Sequence, residues 1–135
     1  ETLKTIKQQG VWLEITNLII PGLNDSLDEI EDMAKWISEA LGKDVPFHIS
    51  RFFPLYKLSS LEPTPEKTLE KAQQAASRYL DYVYVGNLPT TGLENTLCPK
   101  CEKPLIERKG YVIMKNSLDE ARCPFCKAKI SGIWT

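Results

Sequence analysis

Long apolar runs are missing from this sequence. No stretch approaches the roughly 20 residues that a bilayer-spanning helix requires, and no signal-peptide pattern occurs in it. The expectation is a cytoplasmic protein with no membrane partner. Charge of one sign is not in excess either: 17 Lys and Arg stand against 18 Asp and Glu, for a net charge of -1. Histidine is almost absent, His48 being the only one, so a site built on several imidazoles is excluded. Cysteine is just as scarce, and all four cysteines lie between Cys98 and Cys126.

Those four are arranged as Cys98-Pro-Lys-Cys101 and Cys123-Pro-Phe-Cys126, with 21 residues between the pairs. Paired cysteines in a reducing compartment bind metal or do catalysis more often than they form bridges. Two Cys-x-x-Cys turns with a spacer near ~20 residues form one of the stronger patterns for a tetrahedral four-thiolate site. Pro99 and Pro124 fix φ inside the two turns. Metal is therefore favoured over two disulfides or a catalytic dithiol. Zinc and a single iron both accept four thiolates; a structural zinc is the expectation, with iron as the alternative.

Around the turns the sequence reads as two short hairpins, "KPLIERKGYVIMKN" and "KAKISGIW", with Gly110 and Gly132 at their turns. This describes a zinc-ribbon or rubredoxin-like module over residues 96–135, too small to fold on its core alone. Residues 1–95 carry 9 basic against 14 acidic residues, whereas residues 96–135 carry 8 against 4. The basic excess is small and has no arginine cluster or interleaved aromatics, so nucleic acid is not an expected partner.

Residues 1–95 have a different texture. "ETLKTIKQQG" reads as a helix end with Leu3 and Ile6 inward and Gly10 as its stop. Strands are expected over 11–20, 46–53 and 82–86. Between them, "NDSLDEIEDMAKWISEALGK" reads as a helix with Ser26 and Glu29 as a capping box. Its inner face is Leu27, Ile30, Ile37 and Leu41, and Gly42 ends it. "TPEKTLEKAQQAASRYL" reads as a further helix, with Thr64 as cap and Pro65 in first position. Val11 to Phe47 is 36 residues and Phe47 to Val83 is 36 again, and strands alternating with helices at this period imply parallel βαβ units. Three strands are too few for a parallel sheet, and the chain opens at Glu1 in an apparent helix without Met. The expectation is the C-terminal piece of a larger barrel or doubly wound sheet.

"VWLEITNLIIPGLND", then "PFHISRFFPLYKL", then the four-cysteine tail resembles the C-terminal half of a radical S-adenosylmethionine (SAM) enzyme. The resemblance runs from about Val11 to Trp134, to the pyruvate formate-lyase activating enzyme-like proteins and in particular the AmmeMemoRadiSam system enzymes. It implies an α/β fold, the last β/α units of a partial TIM-type barrel with parallel strands, over residues 1–95. In that family a [4Fe–4S] cluster on a Cys-x₃-Cys-x₂-Cys loop cleaves SAM to a 5′-deoxyadenosyl radical, which takes hydrogen from a protein or small-molecule substrate. No such loop exists in this chain. Cluster and SAM would belong to the full-length parent, whose N-terminal half would be this chain's first partner, and the chain alone would be inactive.

The resemblance further implies that Leu18, Phe53 and Tyr56 lie on the adenine side of SAM, with Tyr56 standing where the family's strand carries His. The metal ligands are Cys98, Cys101, Cys123 and Cys126. Read bottom-up, His48 is a packed or hydrogen-bonded strand residue rather than a ligand. Asn24 and Asp25 form a turn leading into a helix, and Trp36 and Tyr79 are helix-face packing residues. Two other functions stay open: a zinc-ribbon module binding nucleic acid or protein on an α/β scaffold, and a rubredoxin-like electron carrier.

Overall fold

The computed structural model describes residues 1–88 and 92–134. Helix α1 (Thr2–Gln8) ends where Gly10, at φ 72°, donates its N–H to the Lys7 carbonyl. That left-handed conformation is one glycine adopts without steric cost. Leu3 packs against the main core from this helix, while Ile6 is half-buried.

Three strands follow, β1 (Ile15–Ile19), β2 (Phe47–Arg51) and β3 (Val83–Gly86), paired in sequence order and all parallel. Phe47 pairs with Val83, as the 36-residue spacing predicts, but β2's partner on the other side is Ile15 rather than Val11. The first strand is thus shorter than the expected 11–20. Its ladder opens with the Ile15 N–H on the Pro46 carbonyl, and Pro46 has no N–H with which to extend it upstream.

Helix α2 (Leu27–Leu41) joins β1 to β2, and helix α3 (Glu66–Ala76) joins β2 to β3. The buried stripe of α2 is Ile30, Ala34, Ile37 and Leu41, a spacing that puts all four on one face. Leu27 stays 38% exposed, so Ala34 replaces it. Gly42 closes the helix as expected, at φ 109°. The capping box does not form: Ser26 occupies the N-cap in an extended conformation, but its side chain makes no cap bond. The polar residues before it hold the Pro21-Gly22 turn instead. Asn24 Oδ1 accepts from the Ile20 N–H, its Nδ2 donates to the Leu18 carbonyl, and Asp25 Oδ1 accepts from the Gly22 N–H. Tyr79 packs on the core and donates its hydroxyl to Glu31 at 2.8 Å. Trp36, expected to pack likewise, is 42% exposed.

Thr64 is also not a helix cap; Pro65 takes that position. Thr64 is fully buried, donating its hydroxyl to the Ile19 carbonyl at 2.6 Å and accepting from the Phe52 N–H at 3.0 Å. Its backbone N–H donates to the Phe52 carbonyl, and its carbonyl accepts from Arg51 Nε. One side chain therefore ties together the carboxyl ends of β1 and β2 and pins the base of the 53–63 loop.

The sheet is covered by helices on one face only. Phe47, Ile49, Val83, Val85 and Ile19 point into a core with Ile30, Ile37, Leu41, Leu69, Ala72 and Ala76. Because side chains alternate along a strand, Thr16, Leu18, His48, Ser50 and Tyr84 point the other way. They form an open, largely polar face, and register places Thr16, His48 and Tyr84 side by side across the sheet.

The remainder is a second, antiparallel sheet of β4 (Thr96–Leu97), β5 (Pro104–Lys109) and β6 (Val112–Asn116). The β5–β6 hairpin turns at Gly110, φ 59°, as expected. Among the described residues no hairpin forms around Gly132; isolated bridges instead join Asp119 to Arg122 and Arg122 to Lys129. The Trp134 indole packs where a Cβ on Gly132 would stand, its Nε1 donating to the Ile130 carbonyl.

The Thr64 clamp yields a direct expectation. Thr64→Val leaves the Phe52 N–H and the Ile19 carbonyl buried without that partner, which costs about 1–3 kcal/mol. Urea unfolding will show this loss, and Thr64→Ser, which keeps the hydroxyl, will recover most of it.

Candidate metal centre and adjoining cleft

The sulfurs of Cys98, Cys101, Cys123 and Cys126 all lie within 4.8 Å of one another. Cys98 and Cys126 Sγ are 3.5 Å apart, and Cys101 and Cys123 Sγ 3.7 Å apart. A disulfide would bring sulfurs to about 2.05 Å, so these are free thiols. Four sulfurs at about 2.3 Å from one ion define a tetrahedron with edges of about 3.8 Å. The donor set and its spacing fit a single tetrahedral metal ion such as zinc or iron.

The two turns are built alike. Cys98 and Cys123 are buried, and each donates its N–H five residues on, to the carbonyls of Lys103 and Ala128. Each also accepts, through its carbonyl, the N–H of a left-handed residue, Glu102 or Lys127, both at φ 59°. The same local backbone bonding thus shapes both ligand turns. Thiols this close do not ionise independently. Burial opposes ionisation of Cys123, but N–H groups of Cys126 and Phe125 and the neighbouring thiols outweigh it, pulling it down to about 6. At Cys101 the Lys103 N–H favours the thiolate, yet burial and the other three thiols push it up to about 12. A divalent cation removes that mutual repulsion.

The thiol module shares its core with the parallel sheet. Cys98, Cys123, Leu105, Ile106 and Ile130 pack with Tyr82, with Tyr84 partly buried beside them. Tyr82 immediately precedes β3 and Tyr84 lies on it, so the parallel sheet supplies part of the module's interior. The Tyr82 hydroxyl accepts from the Ser131 N–H at 3.2 Å, and the Tyr84 hydroxyl bonds Thr96 Oγ1 at 3.0 Å. Burial raises the pKa of both phenols.

From Tyr84 a chain of polar contacts crosses the open sheet face. Arg108 Nη1 donates to Thr96 Oγ1 at 2.8 Å, and its guanidinium lies 5.8 Å from the Tyr84 ring centre. His48 stacks on Tyr84 at 5.1 Å, and its Nε2 is 2.8 Å from Glu14 Oε2. Glu14 Oε1 accepts from the Trp12 indole at 2.8 Å. Burial raises the Glu14 pKa, but the bonds from Trp12 and His48 outweigh it and hold the carboxyl below 4.5. Between this face and the module lie two adjoining cavities, of about 550 and 700 Å³, which share Glu14, His48, Gly86 and Glu94 as walls.

The sequence pattern brings the four cysteines together as expected, and His48 is hydrogen-bonded rather than placed among the thiols. Leu18, Phe53 and Tyr56 lie at the carboxyl ends of β1 and β2, at 43%, 48% and 85% exposure. None of them lines either of the two cavities. Arg51 stacks over the Phe53 ring, and Tyr56 holds φ 51°, a strained value for a bulky residue. Glu14, Tyr84, Glu94 and Arg108 were not singled out from sequence. A usable signal existed, because "FHISR" and "VYVG" alternate apolar with polar or small residues. A parallel strand covered on both faces is almost continuously apolar.

Two outcomes follow. The chain will take up a single zinc ion, and Cys123→Ser will weaken uptake sharply in a zinc-indicator competition. Protons compete for the thiolates, so affinity will fall as pH drops. For Glu14, whose folded pKa is depressed, the sign is the same. Its contribution to stability is complete above 4.5 and is lost as pH falls through the lower folded value. An NMR titration of its carboxyl carbon measures that value, and Trp12→Phe will raise it.

No family model matches the chain. It is 43% identical over 133 residues, 96% of its length, to an uncharacterized protein of Methanocaldococcus jannaschii. The chain spans 40% of that protein's length.

Proposed function

We propose that this chain is the C-terminal part of a radical SAM enzyme of the pyruvate formate-lyase activating enzyme-like type, closed by a zinc-ribbon-like module. In this reading residues 1–95 are the last β/α units of a partial barrel and residues 96–135 are the zinc-holding tail. The observation that carries it is the one-sided parallel sheet. Parallel sheets are normally covered by helices on both faces. In a β/α barrel, by contrast, helices lie outside and the other face lines the interior. Here the face without helices holds Thr16, His48, Ser50 and Tyr84, side chains suited to lining a site, although the thiol module packs against Tyr84.

Barrel sites are built at the carboxyl ends of the strands, where Leu18, Phe53 and Tyr56 stand; these are the residues assigned to the adenine of SAM. A relative of which this chain spans 40% leaves room for the upstream strands and the cluster loop. The four thiols serve a different purpose, since a closed tetrahedral site has no open position for a substrate. Zinc bound there would be structural.

The test uses both the full-length protein and this chain. The upstream sequence will contain a Cys-x₃-Cys-x₂-Cys loop. The anaerobically reconstituted, reduced full-length protein will form 5′-deoxyadenosine from SAM, and the isolated chain will form none above a protein-free control. Deoxyadenosine from the isolated chain, or a parent lacking that loop, overturns the reading.

A further inference from the structure

The cavity of about 550 Å³ between the sheet and the thiol module is walled by aromatic rings, among them Trp12, Tyr84 and Trp134, with Tyr111 at its rim. Among them stands a half-buried carboxylate, Glu94, one of whose oxygens has no partner. Glu94 Oε2 is buried, and no residue among those described donates to it. Of the donors around it, several are committed elsewhere, and Lys109 and Tyr111, which line the same cavities, make no hydrogen bond to it. Arg108 Nη1 is shared between the Glu94 carbonyl and Thr96, His48 Nε2 and the Trp12 indole both serve Glu14, and the Trp134 indole serves Ile130. The Glu94 side chain belongs to the wall of both cavities.

A carboxylate oxygen removed from water without a donor is costly. Aromatic faces carry negative potential and attract cations, above all where water is excluded. The two features point to one kind of ligand. An anion is disfavoured because Glu14 and Glu94 together outweigh the Arg108 guanidinium in this cavity, and a neutral apolar molecule leaves Glu94 unanswered.

We propose that this cavity binds an organic cation bearing N–H groups, an alkylammonium or alkylguanidinium. Its charged end sits on the Glu94 carboxylate and its alkyl chain lies against the rings of Trp12 and Trp134. All of these residues belong to this chain, so the site does not depend on the radical-enzyme reading, and either can fail without the other.

The experiment is a titration of the zinc-loaded chain with agmatine, followed by the indole N–H signals of Trp12 and Trp134 in ¹H–¹⁵N NMR spectra. Saturable shifts are expected at both indoles and at the Glu94 and Thr96 amides. Tetramethylammonium, which cannot donate a hydrogen bond, will bind more weakly, and n-butanol will produce no saturable shift. Glu94→Gln will weaken agmatine binding by about tenfold or more, as loss of a charge-assisted bond requires, with other amide signals unmoved. Should that variant not fold, Glu94→Asp keeps the charge on a shorter arm and will weaken binding to a smaller degree. Absence of saturable shifts with agmatine, equal shifts with n-butanol, or unchanged affinity in both Glu94 variants overturns the proposal. So does agmatine binding seen only in Lys109→Met, since the hairpin's own lysine then fills the role assigned to the ligand.

Discussion

The insertion of Tyr82 into the core of the four-thiol module, with Tyr84 packed against it, joins the two halves of this structure. The three-stranded parallel sheet has helices on one face and would otherwise present the other to water, rings included. The module, for its part, has about 40 residues, too few for an independent apolar core. Each part therefore completes the other. The sheet lends two tyrosines, and the module covers the amino-terminal half of the open face. The thiols sit at the centre of this exchange, because Cys98 and Cys123 are themselves buried in the shared cluster.

Several consequences share that cause. Thr96 is two residues before Cys98, so the position of its hydroxyl, to which Tyr84 and Arg108 both bond, depends on the ligand turn. The cleft lies between surfaces that meet only because the module is docked. The carboxyl ends of the strands are held differently, by the buried Thr64 hydroxyl between Ile19 and Phe52. One end of the sheet depends on the thiol module and the other on a hydroxyl clamp, which leaves the 53–63 loop with Phe53, Leu55 and Tyr56 out in solvent.

Much of this could be read from the residues. The order of strands and helices, the stops at Gly10 and Gly42, the Gly110 hairpin and the grouping of the cysteines each rest on local chemistry. A glycine adopts a left-handed φ, and a Cys-Pro-x-Cys turn presents two sulfurs together. What escaped was long-range. Thr64 looks like a helix cap in sequence, and only the approach of Ile19, 45 residues away, gives its hydroxyl a better partner. Ser26 likewise has the right neighbours for a capping box, but Asn24 and Asp25 bind the preceding turn. The Glu14–His48–Tyr84 contacts were hidden because they join β2 and β3 to the residue before β1, although the alternation in those two strands marked the polar face.

The measurement that bears most directly on this account is amide hydrogen exchange on the zinc-loaded chain and on the same chain after chelation. Loss of metal should remove protection from β4, β5 and β6 and leave the β1–β2–β3 ladder and helices α2 and α3 protected, since their core lies on the far side of the sheet. Unchanged protection in β5 and β6 would contradict the claim that the thiol centre holds the module together. Simultaneous loss across β2 and α2 would contradict the claim that the helix-covered face is a core in its own right.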